Sequence, residues 1–182
     1  MNLLGVVGSP RRNGNTHVLV SKVLEGARIK GARTELILLG DLEIRECDGC
    51  HACWKGRPCP KADAMNGLYP RIAAADALVL GTPVYWYGPT ALMKAFIDRF
   101  VYFNAPPRRA EVRGKPAALV IPFEDGDRAT AKPVVDFFRR SLRYLEMEVA
   151  GTLLAPGVTR RGEVSGKPHL LRRALGLGRS LA

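Results

Sequence analysis

Gly8-Ser9-Pro10-Arg11-Arg12-Asn13-Gly14-Asn15-Thr16 gathers hydroxyls, amides and a guanidinium just ahead of an apolar helical run. Helix N-termini present unpaired N–H groups and the positive end of the helix dipole, so they attract anions. Ser9, Arg11, Asn13, Gly14, Asn15 and Thr16 together are chemically a phosphate cradle; the same residues would also suit a polar turn with a helix cap. Better-known phosphate loops fit badly. A Walker A loop has four residues between its glycines and then Lys, whereas five separate Gly8 from Gly14 and Asn15 follows. The dinucleotide fingerprint Gly-x-Gly-x-x-Gly is absent, so Asp41 after the second strand gains little weight as a ribose-binding acid.

A second stretch is Gly81-Thr82-Pro83-Val84-Tyr85-Trp86-Tyr87-Gly88. Three neighbouring aromatics before Gly88-Pro89 cannot all point inward. Pro83, Val84, Tyr85 and Trp86 offer apolar and aromatic surface plus backbone polar groups, which is what a flat, amphipathic flavin ring requires.

The third stretch is Cys47, Cys50, Cys53 and Cys59, spaced C-x2-C-x2-C-x5-C and followed by Pro60. Thiolates this close can wrap one metal centre. The spacing is near the bacterial ferredoxin run, which has three residues in its last gap and also ends in Cys-Pro. Zinc by four thiolates is a second reading, and free or redox-active thiols a third. His17, His51 and His169 are isolated. No Ser-His-Asp order, His-Glu-x-x-His or paired-carboxylate motif stands out, so hydrolysis has no support and no catalytic acid or base is assigned.

These stretches must be positioned by strands and helices, and the pattern alternates the two. Leu3 to Val7 reads as a buried strand, Thr34 to Leu39 as a second, Ala77 to Leu80 as a third, Ala117 to Ile121 as a fourth and Met147 to Leu154 as a fifth. Between them lie a helix capped by Asn13 or Asn15 and stopped near Gly31, and a short helix over Pro70 to Ala75. A third helix has Pro89 in its first turn, a fourth carries Val134 to Leu145, and a fifth runs from Pro168. Residues 40–65 read as a long loop, a feature usually tied to function, and residues 104–114 as a basic loop. Such alternation implies an α/β doubly wound parallel sheet covered on both faces, in one domain over residues 1–182. Ligands in such folds sit beyond the carboxyl ends of the strands where strand order reverses, which points to the loops after strands one, three and four.

Composition narrows the classes. No apolar run is long enough to span a bilayer, and no signal peptide is evident, so a cytoplasmic location with reduced cysteines is expected. The net charge is +11, heavier in residues 105–182. That excess suits a basic soluble surface or attraction of phosphorylated cofactors and acidic partners. No run of basic residues exceeds two, and no nucleic-acid-binding motif is present.

Gly-Ser-Pro-Arg-x-x-Gly-Asn-Thr, then Pro-Val-Tyr-Trp and Leu-Met-Lys-Ala-Phe-Ile-Asp-Arg (Leu92 to Arg99), resembles the NAD(P)H-dependent FMN reductase family. The likeness is closest to its iron–sulfur flavoprotein branch; it is specific over residues 1–104 and looser afterwards. It implies a flavodoxin-like fold with strand order 2-1-3-4-5. It places the FMN phosphate at Ser9, Arg11, Asn15 and Thr16, and the isoalloxazine ring against Pro83, Val84, Tyr85 and Trp86. The cysteines match the compact motif that holds a four-iron (4Fe-4S) cluster in that branch. The implied activity is transfer of electrons from NAD(P)H through FMN to a small acceptor such as a quinone or flavin, or to an iron–sulfur centre. An electron carrier and a regulatory module on the same fold are the alternatives. Relatives suggest a homo-dimer or tetramer acting with a small-molecule or protein acceptor, without nucleic acid or membrane. Where the family often has a glycine-rich loop after strand four, this chain has Pro122-Phe123-Glu124-Asp125-Gly126-Asp127, whose three acids would sit poorly beside an anionic reduced flavin.

Overall fold

The computed structural model describes all 182 residues. Five parallel strands form one sheet: β1 (Asn2–Val7), β2 (Arg33–Leu38), β3 (Ala77–Gly81), β4 (Pro116–Pro122) and β5 (Glu148–Ala155). Their order is β2-β1-β3-β4-β5, as expected. The helices are α1 (Asn15–Ile29), α2 (Met65–Ala74), α3 (Ala91–Asp98), the single turn α4 (Val101–Asn104), α5 (Lys132–Tyr144) and α6 (Pro168–Leu181).

Alternation along the central strands explains the layering, because successive side chains in a strand point to opposite faces. Leu3, Val7, Val79 and Val120 face α1 and α6 in one apolar cluster. Leu4, Val6, Leu80 and Ile121 face α2, α3 and α5 in the other. Crossovers on both faces put the reversal of strand order at the carboxyl ends of β1 and β3. Helices α1 and α6 approach closely because Gly178 lacks a side chain; a Cβ there would overlap the Val23 carbonyl.

Three local features depart from the expected boundaries. Helix α2 begins at Met65 and carries Pro70 inside it rather than at its start. The Asp63 carboxylate accepts the Met65 N–H (3.1 Å), supplying the missing cap. Helix α1 has Gly14 at its N-cap with no side-chain cap, so neither Asn13 nor Asn15 fills that role. Pro89 lies outside α3, whose cap is Thr90, accepting from the Met93 N–H at 3.2 Å. Gly31 (φ 87°) does follow the end of α1.

The far end of α2 is closed by a lysine. Lys115 Nζ donates to the carbonyls of Ile72 (2.9 Å) and Ala73 (2.8 Å), and to that of Ala75. Terminal helical carbonyls have no partner of their own. Burial holds the Lys115 ammonium below the usual lysine range. Lys115→Met is expected to destabilise the fold by about 1–3 kcal/mol, the cost of orphaning partly buried acceptors. Urea unfolding checks this; an unchanged midpoint would show that water replaces the ammonium there.

Candidate functional site

The loop after β1 and the loop after β3 meet at the reversal point. Buried threonines stitch them together. The Gly8 N–H donates to the Gly81 carbonyl (2.7 Å), the Thr90 N–H donates to Thr82 Oγ1 (3.1 Å), and the Thr90 hydroxyl donates to the Gly8 carbonyl. A Cβ on Gly8 would lie 2.7 Å from Met93 Cβ, so only glycine lets β1 approach α3 this closely.

Between these loops lies a cavity of about 140 Å³. Ser9, Arg11, Gly14, Asn15 and Thr16 form one wall and Pro83, Val84 and Tyr85 another. Thus most of the residues expected to cradle a phosphate and to flank a flavin ring face one space. Asn13 and Trp86 stand outside its lining. Asn13 takes a left-handed φ of 56° and its N–H donates to His17 Nδ1 at 3.1 Å, which turns the chain into α1. At the start of α1 the N–H groups of Asn15, Thr16 and His17 have no helical carbonyl behind them.

The remaining walls come from Pro122, Phe123 and Glu124 after β4, and from Val158, Thr159 and Arg161 after β5. The sequence reading assigns no site residue to the segment after β5. Asn15 ties it down, donating from Nδ2 to the Arg160 carbonyl (3.0 Å) and accepting the Val164 N–H at Oδ1 (3.0 Å). Arg11 Nη1 donates to the Thr159 carbonyl at 3.2 Å. The N–H groups of Arg160 and Thr159, each 2.9 Å from Glu163 Oε2, hold that carboxyl below the usual range and lock the turn. The segment's position at the carboxyl end of the last strand, with Arg160 and Arg161 adjacent, is the available signal.

The cavity is electrically polar: Arg11 and Arg161 stand in its wall with only Glu124 opposing them. A second cleft of about 410 Å³ shares Val84, Phe123 and Glu124 with it and adds Trp86, Tyr87, Asp125 and Thr130. Trp86 (φ 47°) and Tyr87 (φ 59°) form the tip of a tight hairpin closed by Tyr85 and Gly88, which exchange two 2.9 Å backbone hydrogen bonds. Both positions want glycine or asparagine. Trp86 is nevertheless 97% exposed. Holding two aromatics in such a conformation costs on the order of 1–3 kcal/mol each. Asp125 accepts from the Asp127 N–H (2.9 Å) and the Thr130 hydroxyl (2.7 Å), which hold its carboxyl below the usual range.

The four cysteines are free thiols and line one narrow recess, together with Tyr69 and Arg99. Burial pushes the Cys53 thiol up. No three Cys, His, Asp or Glu side chains converge closely enough to hold a single ion. A lone zinc needs its four sulfurs within about 4 Å of one another, given Zn–S bonds near 2.3 Å. A cluster places each thiolate on a different iron, so its ligands stand farther apart around a shared recess. Four thiols around one recess are, as a donor set, what a four-iron cluster takes, one thiolate to each iron.

Comparison with known proteins agrees with this layout. The sequence pattern of the family described as NADPH-dependent FMN reductase matches residues 1–155. An iron–sulfur flavoprotein of Methanocaldococcus jannaschii is 38% identical over 99 residues, 54% of this chain and 51% of that one. The match thus spans about half the length of that relative. An iron–sulfur flavoprotein of Archaeoglobus fulgidus is 29% identical over all of this chain and 79% of its own. YwqN of Bacillus subtilis, provisionally named an NAD(P)H-dependent FMN-containing oxidoreductase, is 27% identical over 96% of this chain and 98% of its own. Among solved structures, an FMN-dependent NADH-azoreductase of Bacillus anthracis in complex with FMN superposes with a TM-score of 0.75 at 13% identity, all of both chains aligned. No helix is long and apolar enough to cross a membrane. With its sheet order, its joined loops and the family pattern covering most of its length, the chain belongs to the NADPH-dependent FMN reductase family.

Proposed function

We propose that the cleft beyond β1, β3, β4 and β5 binds FMN and that the protein oxidises NAD(P)H, delivering the electrons to a small acceptor. The observation that carries this reading is the shared cavity, in which Ser9, Arg11 and Thr16 face Pro83, Val84 and Tyr85. The first N–H groups of α1 and the Arg11 guanidinium would neutralise the phosphate. Pro83, Val84 and Tyr85 would lie along the ring and keep water from one of its faces. When bound, FMN supplies the acceptance of two electrons and their release singly or in pairs.

The neighbouring cleft is the seat for the nicotinamide donor and then the acceptor. Its aromatic rim is held in a costly conformation, and such strain persists where the surroundings impose it, commonly at functional sites. Trp86→Ala is expected to raise KM for the acceptor several-fold while leaving FMN affinity unchanged, because Trp86 does not line the FMN cavity. Steady-state oxidation of NADPH and NADH with a quinone acceptor, using FMN-loaded protein, measures both the activity and this effect. No oxidation of either donor would overturn the proposed activity.

The cysteine recess is read as the seat of an iron–sulfur cluster. Its four thiols and the names of the two archaeal relatives support this. A cluster would let electron pairs taken from NAD(P)H leave one at a time. Iron and sulfide assays on protein purified without air test it: about four irons per chain is the expected result.

A further inference from the structure

Arg99, the residue that ends α3, is the largest fully buried side chain in the molecule. Arginine is seldom fully buried unless paired. All three nitrogens of this guanidinium are engaged. Nη1 donates to Asp63 Oδ2 (2.6 Å) and to the Arg45 carbonyl (2.9 Å), and Nε donates to the Tyr69 hydroxyl (3.2 Å). Nη2 donates to Cys59 Sγ at 3.2 Å. The Asp63 side chain is fully buried in turn and accepts the Arg45 N–H (3.0 Å) and Met65 N–H (3.1 Å). Tyr69 is fixed by stacking on Tyr102 with centroids 3.8 Å apart.

One arm of a rigid, permanently charged fork therefore reaches into the cysteine recess, and the others lock that fork to the core. Cys59 Sγ is the sole partner of the buried Nη2, so on the recess side the fork is satisfied by sulfur. Asp63, Tyr69 and the Arg45 carbonyl already satisfy Nη1 and Nε, and Cys59 is the last of the four cysteines and the one packed against the apolar core. The other charged groups facing the recess are Lys61 and Asp48, which pair with each other at 3.0 Å. Arg99 is thus the one cation at the recess with a hydrogen bond to sulfur.

We propose that Arg99 is the positioning residue of the cysteine site: it fixes the Cys59 sulfur and, by holding a cation against it, makes the cluster easier to reduce. This rests on the cluster reading given above. On reduction one electron enters from bound reduced FMN, or from dithionite in a titration. No bond forms or breaks, and the site becomes one unit more negative. A charged donor to a ligand sulfur favours that more negative form, since hydrogen bonds to sulfur and local charge set such potentials.

The test compares the wild type with Arg99→Lys, Arg99→Gln and the double variant Asp63→Asn/Arg99→Gln, all loaded with FMN and reconstituted with iron and sulfide. Folding is checked by ellipticity and flavin retention. Dithionite titration followed by electron paramagnetic resonance then gives each midpoint. At a fixed applied potential, Arg99→Gln is expected to show a roughly ten-fold smaller ratio of reduced to oxidised cluster, about 59 mV for one electron. Arg99→Lys, a point charge without the second arm, should shift in the same direction by less. It carries the test alone if the glutamine variants do not fold. Variants that keep FMN but lose iron would also support the positioning role. Equal midpoints at equal iron content would show that Arg99 is merely structural and overturn the proposal, leaving the cluster reading intact. Wild-type protein that takes up no iron would end the cluster reading and this proposal with it.

Discussion

Arg11→Ala combined with Thr16→Val is expected to weaken FMN binding about 100-fold while the fold stays intact. Hydrogen bonds to charged groups contribute about 1.5–3 kcal/mol each, and 1.4 kcal/mol is a factor of ten. Removing both hydrogen bonds, with water partly replacing them, gives the stated factor. Arg11 is exposed and its guanidinium makes one hydrogen bond, to the Thr159 carbonyl, so its removal leaves no buried group unpaired. Thr16 is buried beside the place a Gly81 Cβ would occupy, and valine preserves its shape. Fluorescence titration of apo-protein with FMN measures the change. Riboflavin, which lacks the phosphate, should bind wild type and variant alike; a loss of affinity for both would place the effect elsewhere than at the phosphate.

Asp63→Ala is expected to destabilise the protein by about 3–5 kcal/mol, the cost of breaking one side of a buried ion pair. Arg99 and Asp63 are 1% and 0% exposed, so solvent screens little of this interaction. Asp63→Leu/Arg99→Met should cost much less, because no charge is left buried alone. The pair also fixes an acid limit. Burial by itself would raise the Asp63 pKa, but the Arg99 hydrogen bond and charge and the Arg45 and Met65 N–H groups outweigh it, leaving the carboxyl below its usual range. The stability it contributes is complete above the unfolded-state value, about 3.9. It is lost as pH falls through the lower native value, because the unfolded chain takes up the proton first. Urea midpoints should therefore fall below about pH 4, and Asp63→Asn should flatten that decline. An equally steep decline in the variant would assign it to other carboxylates.

The sheet is legible in the sequence because β1, β3 and β4 are short apolar runs ended by turns, and each strand falls within two residues of its expected place. The loop after β1 is legible because its residues are contiguous. Helix α2 is harder to place because Pro70 reads as a helix start. The better signal is Met65, Leu68, Tyr69 and Ile72 at helical spacing behind Asp63, all four buried. What cannot be read is what depends on long-range packing. Thr159 meets Arg11 across nearly the whole chain, and Arg161 lines the same cavity. Arg99 at the end of an amphipathic helix looks like any solvated terminal charge, and only the folded path of residues 45–63 shows it buried. The hairpin at Trp86 and Tyr87 is also unreadable, since aromatics are poor candidates for positive φ.

The proposed activity requires that this cleft hold FMN where NAD(P)H can reduce it. Anaerobic titration of FMN-loaded protein with NADPH, followed in the visible flavin band, tests it most directly. Bleaching complete at one NADPH per bound FMN, with the flavin retained on gel filtration, is the predicted result. Protein that refuses FMN, or that holds it without bleaching under either NADPH or NADH, would rule out that activity.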